Sequence, residues 1–290
     1  MRVIEAIFRY LRQTGRDARA AVGRVARDRA ALITILVLAL PWWALVFIRA
    51  NADWVASLGG MIAIAFTFWW MSRSGAMPAL QVAKPRAETG LAVALVGWWM
   101  LWRTGICAHY FFFLPSDFNC FKNGVFEIAP KVIEQVILPI AILRAAGYSF
   151  RAQGLAWSWR AWWIALPALI ALSGYGVFNH WNDLAKFGAN SVEYFFAAGL
   201  PEEVLFRAFL LTRLEAWWRS PAWGLFGSAI IFGLTHLPID YLVFTQRNWS
   251  ETWILVLTFQ AGFGAVFAFA YQRTRNVLPL AIVHALVDAL

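Results

Sequence analysis

Residues 252–271 read TWILVLTFQAGFGAVFAFAY, a run that contains no charged side chain. About 20 predominantly apolar residues are enough for one α-helix to cross the hydrocarbon core of a bilayer. Lipid is the solvent for the outer face of such a helix, so its apolar side chains need no protein core to cover them. The stretch therefore predicts a membrane-spanning helix.

The rest of the chain has the same apolar character. Hydrophobic residues make up 61% and charged residues 14% of its 290 residues, whereas a soluble domain is about a quarter charged. We therefore predict an all-α fold, a polytopic transmembrane helical bundle of about 8–9 spans. The predicted spans are Ala31–Ile48, Ala52–Met71, Leu91–Cys107, Val132–Ala146, Trp162–Phe178, Val192–Leu211, Trp223–Phe244, Thr252–Tyr271 and Val277 onward.

Basic residues are distributed unevenly along this pattern. Eight arginines lie between Arg2 and Arg29, before the first apolar run, and the links around Arg86, Arg151 and Arg219 are also basic. The positive-inside bias then predicts a cytoplasmic N-terminus. We expect the membrane to be the plasma membrane of a prokaryote. A nucleic-acid partner would need a soluble basic face, which the chain lacks, so the predicted partner of the basic segment is the lipid bilayer.

Ionisable residues inside apolar runs are candidate functional residues, because a charge at membrane depth is costly unless it is paired or hydrated. One such run contains Pro201, Glu202, Glu203 and Arg207. Glu203 and Arg207 are four residues apart on one helix face and are expected to pair. Such an ion pair leaves the adjacent Glu202 unexplained. Pro201 lacks an N–H and can open or kink a helix at this point.

Two further runs carry histidines. His236 is followed by Pro238, which removes the N–H that the carbonyl of Leu234 would accept and so loosens the helix at His236. His284 and Asp288 face the same way four residues apart, and a carboxyl group there can orient an imidazole. Two histidines on separate spans, with a carboxylate pair on a third, favour a function over packing.

Other candidates are assigned structural roles or left open. His109 and His180 lie near span ends, and neither is expected to be functional. Cys107 and Cys120 lie in or beside a link predicted to be outside the cytoplasm, where they are equally compatible with a disulfide and with two thiols.

The three motifs in this order resemble the CPBP family, which comprises the CAAX proteases and bacteriocin-processing proteins and is also called the Abi domain. The family pattern is Glu-Glu-x-x-x-Arg, then Phe-x-x-x-His, then His-x-x-x-Asn or Asp, each on its own transmembrane helix. Many members carry Asn where this chain has Asp288. The matching residues are Glu202, Glu203, Arg207, Phe232, His236, His284 and Asp288.

The resemblance implies an intramembrane endopeptidase. Its substrate would be a membrane-anchored protein or peptide, prenylated or carrying a sorting tail, that is cut near its C-terminus. By resemblance, Glu202 with His236 would activate a water molecule, and Glu203, its charge held by the nearby arginine, would tune Glu202 or shape the site. His284 and Asp288 would stabilise the tetrahedral intermediate.

The cofactor requirement has two readings. Glu202, His236 and His284 match the ligand set of a catalytic zinc. Asp288 and the second glutamate fit a polar hydrolytic site, so we predict a reaction without a cofactor and keep zinc as the alternative.

Two other functional classes bury similar residues. A proton-coupled transporter would do so near the midplane, but it is expected to show inverted repeats, and the sequence shows none. A non-catalytic membrane scaffold or immunity protein is the other class, and the intact motifs favour an enzyme over it.

The sequence divides into three predicted parts. Residues 1–30 form a basic amphipathic cytoplasmic segment, and residues 31–190 form the N-terminal transmembrane helices. Residues 191–290 form the catalytic transmembrane core that the resemblance covers.

Overall fold

A computed structural model of the protein describes residues 28–29, 32–33, 52–73, 80–113 and 124–290. Within these ranges 85% of the structure is helical and there is no strand, which confirms the all-α prediction. The basic segment before Asp28, most of Ala31–Ile48, Cys120 and the side chains of Cys107 and His109 lie outside the described residues.

Eight helices make up the described part of the chain. Four are α1 (Ala52–Ser72), α2 (Pro85–Phe113), α3 (Gly124–Val132 continued by Ile133–Ile137 and Leu138–Ala145) and α4 (Trp159–Asn179). The other four are α5 (Leu184–Tyr194 continued by Phe195–Gly199, Leu200–Glu202, Glu203–Leu211 and Thr212–Trp218), α6 (Pro221–Phe244), α7 (Trp249–Thr274) and α8 (Val277–Ala289).

Three of these helices, α4, α6 and α7, are long and apolar enough to cross a membrane. They coincide with three of the predicted spans. The helix α8 and the part of α1 from Gly59 to Ser72 are apolar but shorter. The total of about 8–9 spans therefore stays a prediction.

Short capped turns connect the helices of the C-terminal part. The side chains of Ser220 and Asn276 accept hydrogen bonds from backbone N–H groups in the first turns of α6 and α8. Arg219 and Arg275 end α5 and α7 in the left-handed conformation, with φ of 51° and 47°. A left-handed residue followed by a capping residue reverses the chain at once, so each pair of helices is antiparallel.

Hydrogen bonds join these turns at one end of the bundle. Glu215 near the end of α5 accepts from Gln272 at 2.5 Å and pairs with Arg275 at 2.6 Å. The N–H of Val277, the first residue of α8, donates to the carbonyl of Gly154 in the link before α4. The ends of α5 and α7 and the starts of α4, α6 and α8 therefore lie together.

The links next to α2 and α3 reach the same end. Glu88 at the start of α2 accepts a hydrogen bond from the hydroxyl of Tyr148, just after α3, and pairs with Arg213 of α5 at 3.2 Å. We call this end of the bundle the basic end. Its basic residues include Lys84, Arg86, Arg144, Arg151, Arg160, Arg213, Arg219, Arg273 and Arg275.

Candidate active site

Proline leaves one backbone carbonyl of α5 without its helical partner. Pro201 has no N–H to donate to the carbonyl of Ala197, and α5 continues through this point with π-helical turns on both sides. The freed carbonyl accepts a hydrogen bond from Nζ of Lys131 on α3 at 2.8 Å. Pro201 thus loosens the helix without opening it, and such π-helical turns are frequent at functional sites.

The two glutamates that follow have different partners. Glu203 is fully buried, and its carboxylate lies 3.5 Å from Nη2 of Arg207, so the pairing expected from their spacing is present. Glu202 is nearly buried and lies 3.6 Å from Nζ of Lys131. The second glutamate that a simple ion pair left unexplained therefore has a cation of its own.

His284 of α8 connects the two carboxylates. Its Nδ1 lies 3.0 Å from Oε1 of Glu203, and its Nε2 lies 3.8 Å from Glu202 and 3.6 Å from Asp288. A carboxylate only accepts hydrogen bonds, so Nδ1 carries the proton that is shared with Glu203. Its Nε2 is consequently directed at the space between Glu202 and Asp288.

Apolar rings fix the position of this imidazole. The rings of Phe263 and Phe267 on α7 each lie with their centroids 4.8 Å from that of His284. The imidazole therefore has apolar walls on the side of α7 and carboxylates on the others.

His236 lies where α6 is interrupted, as the following proline predicted. Its backbone N–H bonds to the carbonyl of Gly233 instead of that of Phe232. The carbonyl of Phe232 instead lies 2.9 Å from Nδ1 of the His236 ring. A carbonyl only accepts, so Nδ1 carries the proton and Nε2 keeps a free lone pair. The imidazole of His236 lies near enough to Glu202 and Lys131 to interact electrostatically with both.

Arg207 closes the site on its inner side. Its guanidinium is fully buried and stands 4.4 Å from the centre of the Phe232 ring, a cation–π contact. Among the described residues, none of its three guanidinium nitrogens has a hydrogen-bond acceptor. The ion pair with Glu203 and the aromatic face therefore hold its charge.

The residues named as zinc ligands are not arranged as a ligand set. In the described residues, no three or more His, Cys, Asp or Glu side chains form a group suited to a metal ion. Nδ1 of His284 faces Glu203, and Nδ1 of His236 faces a backbone carbonyl. Metal-bound histidines make the same Nδ1 contacts, so these two contacts do not distinguish the two readings. The described side chains thus form no ready metal-ligand group, and both the reaction without a cofactor and the zinc alternative stay predictions.

A protein-family model matches the C-terminal part of the chain. Residues 184–290 match a family model described as Type II CAAX prenyl endopeptidase Rce1-like. The resemblance to the CAAX proteases is thereby confirmed. No curated protein and no solved structure matches the chain. The Rce1-like region, residues 184–290, contains all the predicted site residues, and together with the apolar helices it supports an integral membrane protein.

Lys131 is a site residue that the sequence reasoning missed. It lies outside the Rce1-like region, and we predicted that the fourth span begins after it, at Val132. The helix α3 begins earlier, at Gly124, so Lys131 is helical and points at α5. A lysine within an apolar helix needs a partner, and this requirement could have identified Lys131 from the sequence.

Two further ionisable residues, His180 and Asp240, lie outside the candidate site. His180, which we expected to be structural, stacks on Phe187 with centroids 5.4 Å apart. Asp240, one turn after His236, is fully buried and accepts a hydrogen bond from Gln260 at 3.3 Å. Within the described part of the chain, neither residue contacts Glu202 or His284, and the contacts of both are those of helix packing.

Proposed function

We propose that the protein is an intramembrane endopeptidase that hydrolyses a peptide bond near the C-terminus of a membrane-tethered protein. The observation that carries this proposal is the contact of His284 with both glutamates of α5, inside a region similar to CAAX prenyl endopeptidases. A structural ion pair would need only Glu203 and Arg207. Glu202 and the imidazoles of His236 and His284 are not needed for that ion pair, so they are available for catalysis.

Glu202 and His236 would activate the water molecule. Both present an acceptor, since Nε2 of His236 carries no proton when Nδ1 donates to a carbonyl. A water between them would lose a proton as its oxygen attacks the carbonyl carbon of the scissile bond. Lys131 holds the Glu202 carboxylate in place from the other side.

His284 would stabilise the charge that develops on the carbonyl oxygen. Glu203 orients its ring through Nδ1, and Arg207 in turn fixes Glu203. As an imidazolium, His284 would keep its Nδ1 proton on Glu203 and donate a hydrogen bond from Nε2, next to Asp288, to the oxyanion. When the intermediate collapses, the proton taken from water passes to the leaving amine and the C–N bond breaks. Glu203, which was first expected to tune Glu202 or shape the site, would therefore act by orienting His284.

Loss of the two proton acceptors tests the proposal in cells. We expect Glu202→Gln and His236→Ala to leave a membrane-anchored protein uncut, whereas the protein itself still inserts and accumulates. Quantitative mass spectrometry of membrane proteins would detect the uncut form. A matched control is His180→Ala, which changes a histidine outside the site. Normal processing in either site variant would remove the glutamate and histidine mechanism.

A further inference from the structure

The site residues become more exposed in one direction. The side chain of Asp288 is 28% exposed and that of Lys131 is 17% exposed, whereas Glu202 is 7% exposed. Glu203 and Arg207, farther along α5, are both fully buried. The site therefore opens beside Lys131 and Asp288 and closes at Arg207.

The closed side faces the basic end. Arg207 lies one helical turn beyond Glu203 on α5, and α5 ends at the basic end. The next turns of α5 and α7 fill the space between the site and that end with fully buried side chains. These are Phe206, Phe209, Leu210, Phe267 and Tyr271. We call them the buried layer, and it separates the site from the basic end.

Helix lengths place the site in the half of the bundle remote from the basic end. At 1.5 Å per residue, His236 lies about 22 Å along α6 from Pro221, at the basic end, and about 12 Å from Phe244. By the same measure Lys131 lies about 10 Å from Gly124 and about 21 Å from the basic end of α3. Two independent helices thus give the same depth.

The charges of the two ends differ in sign. Described side chains toward the opposite end are more often acidic than basic: Glu134, Asp183, Glu193, Asp240, Glu251 and Asp288 against Lys131, Lys186 and Arg247. The arginine and lysine asymmetry orients membrane proteins with their basic links in the cytoplasm. The end at which the site opens is then the extracytoplasmic one.

We propose that the active site is reached from the extracytoplasmic half of the membrane, and that its substrate is a protein with its scissile bond there, next to a membrane-anchoring helix. The substrate assignment rests on the proposed endopeptidase function. A lipidated tail in the cytoplasm would have to cross the buried layer to reach Glu202. A segment that leaves an anchoring helix at the outer surface meets the opening between Lys131 and Asp288 directly.

Accessibility labelling tests the direction of opening without any substrate. In a background of Cys107→Ser and Cys120→Ser, Ser250→Cys would place a thiol at the start of α7, on the side to which the site opens. Ser149→Cys would place the matched thiol at the basic end, and both serines are exposed. A membrane-impermeant maleimide added to intact cells should label Ser250→Cys alone and label Ser149→Cys only after permeabilisation. The reverse pattern would overturn the proposal.

Mapping of cleavage products tests the substrate class. Termini that form with the wild-type protein and disappear with Glu202→Gln should lie on the extracytoplasmic side of a hydrophobic segment. Termini in cytoplasmic, lipidated tails would overturn the substrate assignment while the endopeptidase function stands. If no terminus depends on Glu202, the endopeptidase function fails and the substrate assignment fails with it, whereas the labelling result still decides how the site opens.

Discussion

At the scale of single residues, Lys131 ties the proposed base to the backbone of α5. Its ammonium group donates to the carbonyl that Pro201 leaves free, at 2.8 Å, and attracts the Glu202 carboxylate from 3.6 Å. Among the described residues, two basic side chains lie within 4 Å of the Glu202 carboxylate, Lys131 at 3.6 Å and His284 at 3.8 Å. We infer that Lys131 positions the Glu202 carboxylate to take a proton from the attacking water molecule.

Replacement of Lys131 should therefore slow the reaction without unfolding the protein. A hydrogen bond to a charged group contributes roughly 1.5–3 kcal/mol, so Lys131→Met is expected to lower kcat/KM roughly ten- to a hundredfold. Lys131→Arg should retain part of the rate because it keeps the charge. The exposed Lys186→Met is the matched control. Cleavage by Lys131→Met at the wild-type rate would contradict this role.

At the scale of helices, the contact between α5 and α8 sets the distance between Glu203 and His284. A Cβ atom on Gly199 would lie only 2.3 Å from the carbonyl oxygen of Ala281, so this glycine permits the close approach of the two helices. Gly199 stands one turn before Glu203, and Ala281 lies about one turn before His284. The approach at Gly199 therefore brings the imidazole to the carboxylate.

A methyl group at this contact should push α8 away from α5. We expect Gly199→Ala to cost about 1–3 kcal/mol of stability through overpacking and to reduce cleavage by separating His284 from Glu203. Gly188 on the same helix has nothing within 4 Å of an added Cβ. Gly188→Ala should thus be neutral or stabilise by up to about 1 kcal/mol. Thermal unfolding and cleavage rates should be measured for both variants. Equal stability and equal cleavage rates in Gly199→Ala and Gly188→Ala would contradict the role given to Gly199.

At the scale of the whole molecule, Glu88 joins three helices at the basic end. Burial raises the pKa of the Glu88 carboxyl, but hydrogen bonds from Tyr148 and the amide of Lys84, together with the charge of Arg213, outweigh burial and hold that pKa below its usual range. A carboxyl with a lowered pKa in the folded state stabilises the fold above its unfolded pKa. That stabilisation is lost as the pH falls through the folded pKa.

The stability of the bundle should carry this pH dependence. Glu88→Gln weakens these hydrogen bonds and is expected to lower the free energy of unfolding at neutral pH by about 1 kcal/mol. The melting temperature should fall accordingly. The difference from wild type should shrink in acid, where the wild-type carboxyl is also protonated. Thermal unfolding from neutral pH to well below pH 4 would measure it, because the folded pKa of Glu88 lies below the ordinary value of about 4.3. The exposed Glu193→Gln is the control, and a pH-independent difference for Glu88→Gln would rule out the linkage.

The fold class could be predicted from the sequence because it depends on local pattern, and local pattern also pointed to the candidate residues of the site. Apolar runs predicted helices, and a spacing of four residues predicted the pairing of Glu203 with Arg207 that the structure contains. Periodicity does not tell which helices touch. The contact of His284 with Glu203 depends on the close approach at Gly199, and the role of Lys131 depends on where α3 begins. These features required the packed bundle.

The cleavage rate of purified protein tests the central claim most directly. The substrate is the membrane-anchored protein that accumulates uncut with Glu202→Gln, presented in detergent with a strong chelator. We predict that the wild-type protein cuts it and that Glu202→Gln and His236→Ala do not, although both melt as the wild type does. Rescue of a chelated, inactive wild-type protein by zinc would recast Glu202, His236 and His284 as metal ligands. Equal cleavage by wild type and Glu202→Gln would contradict the account.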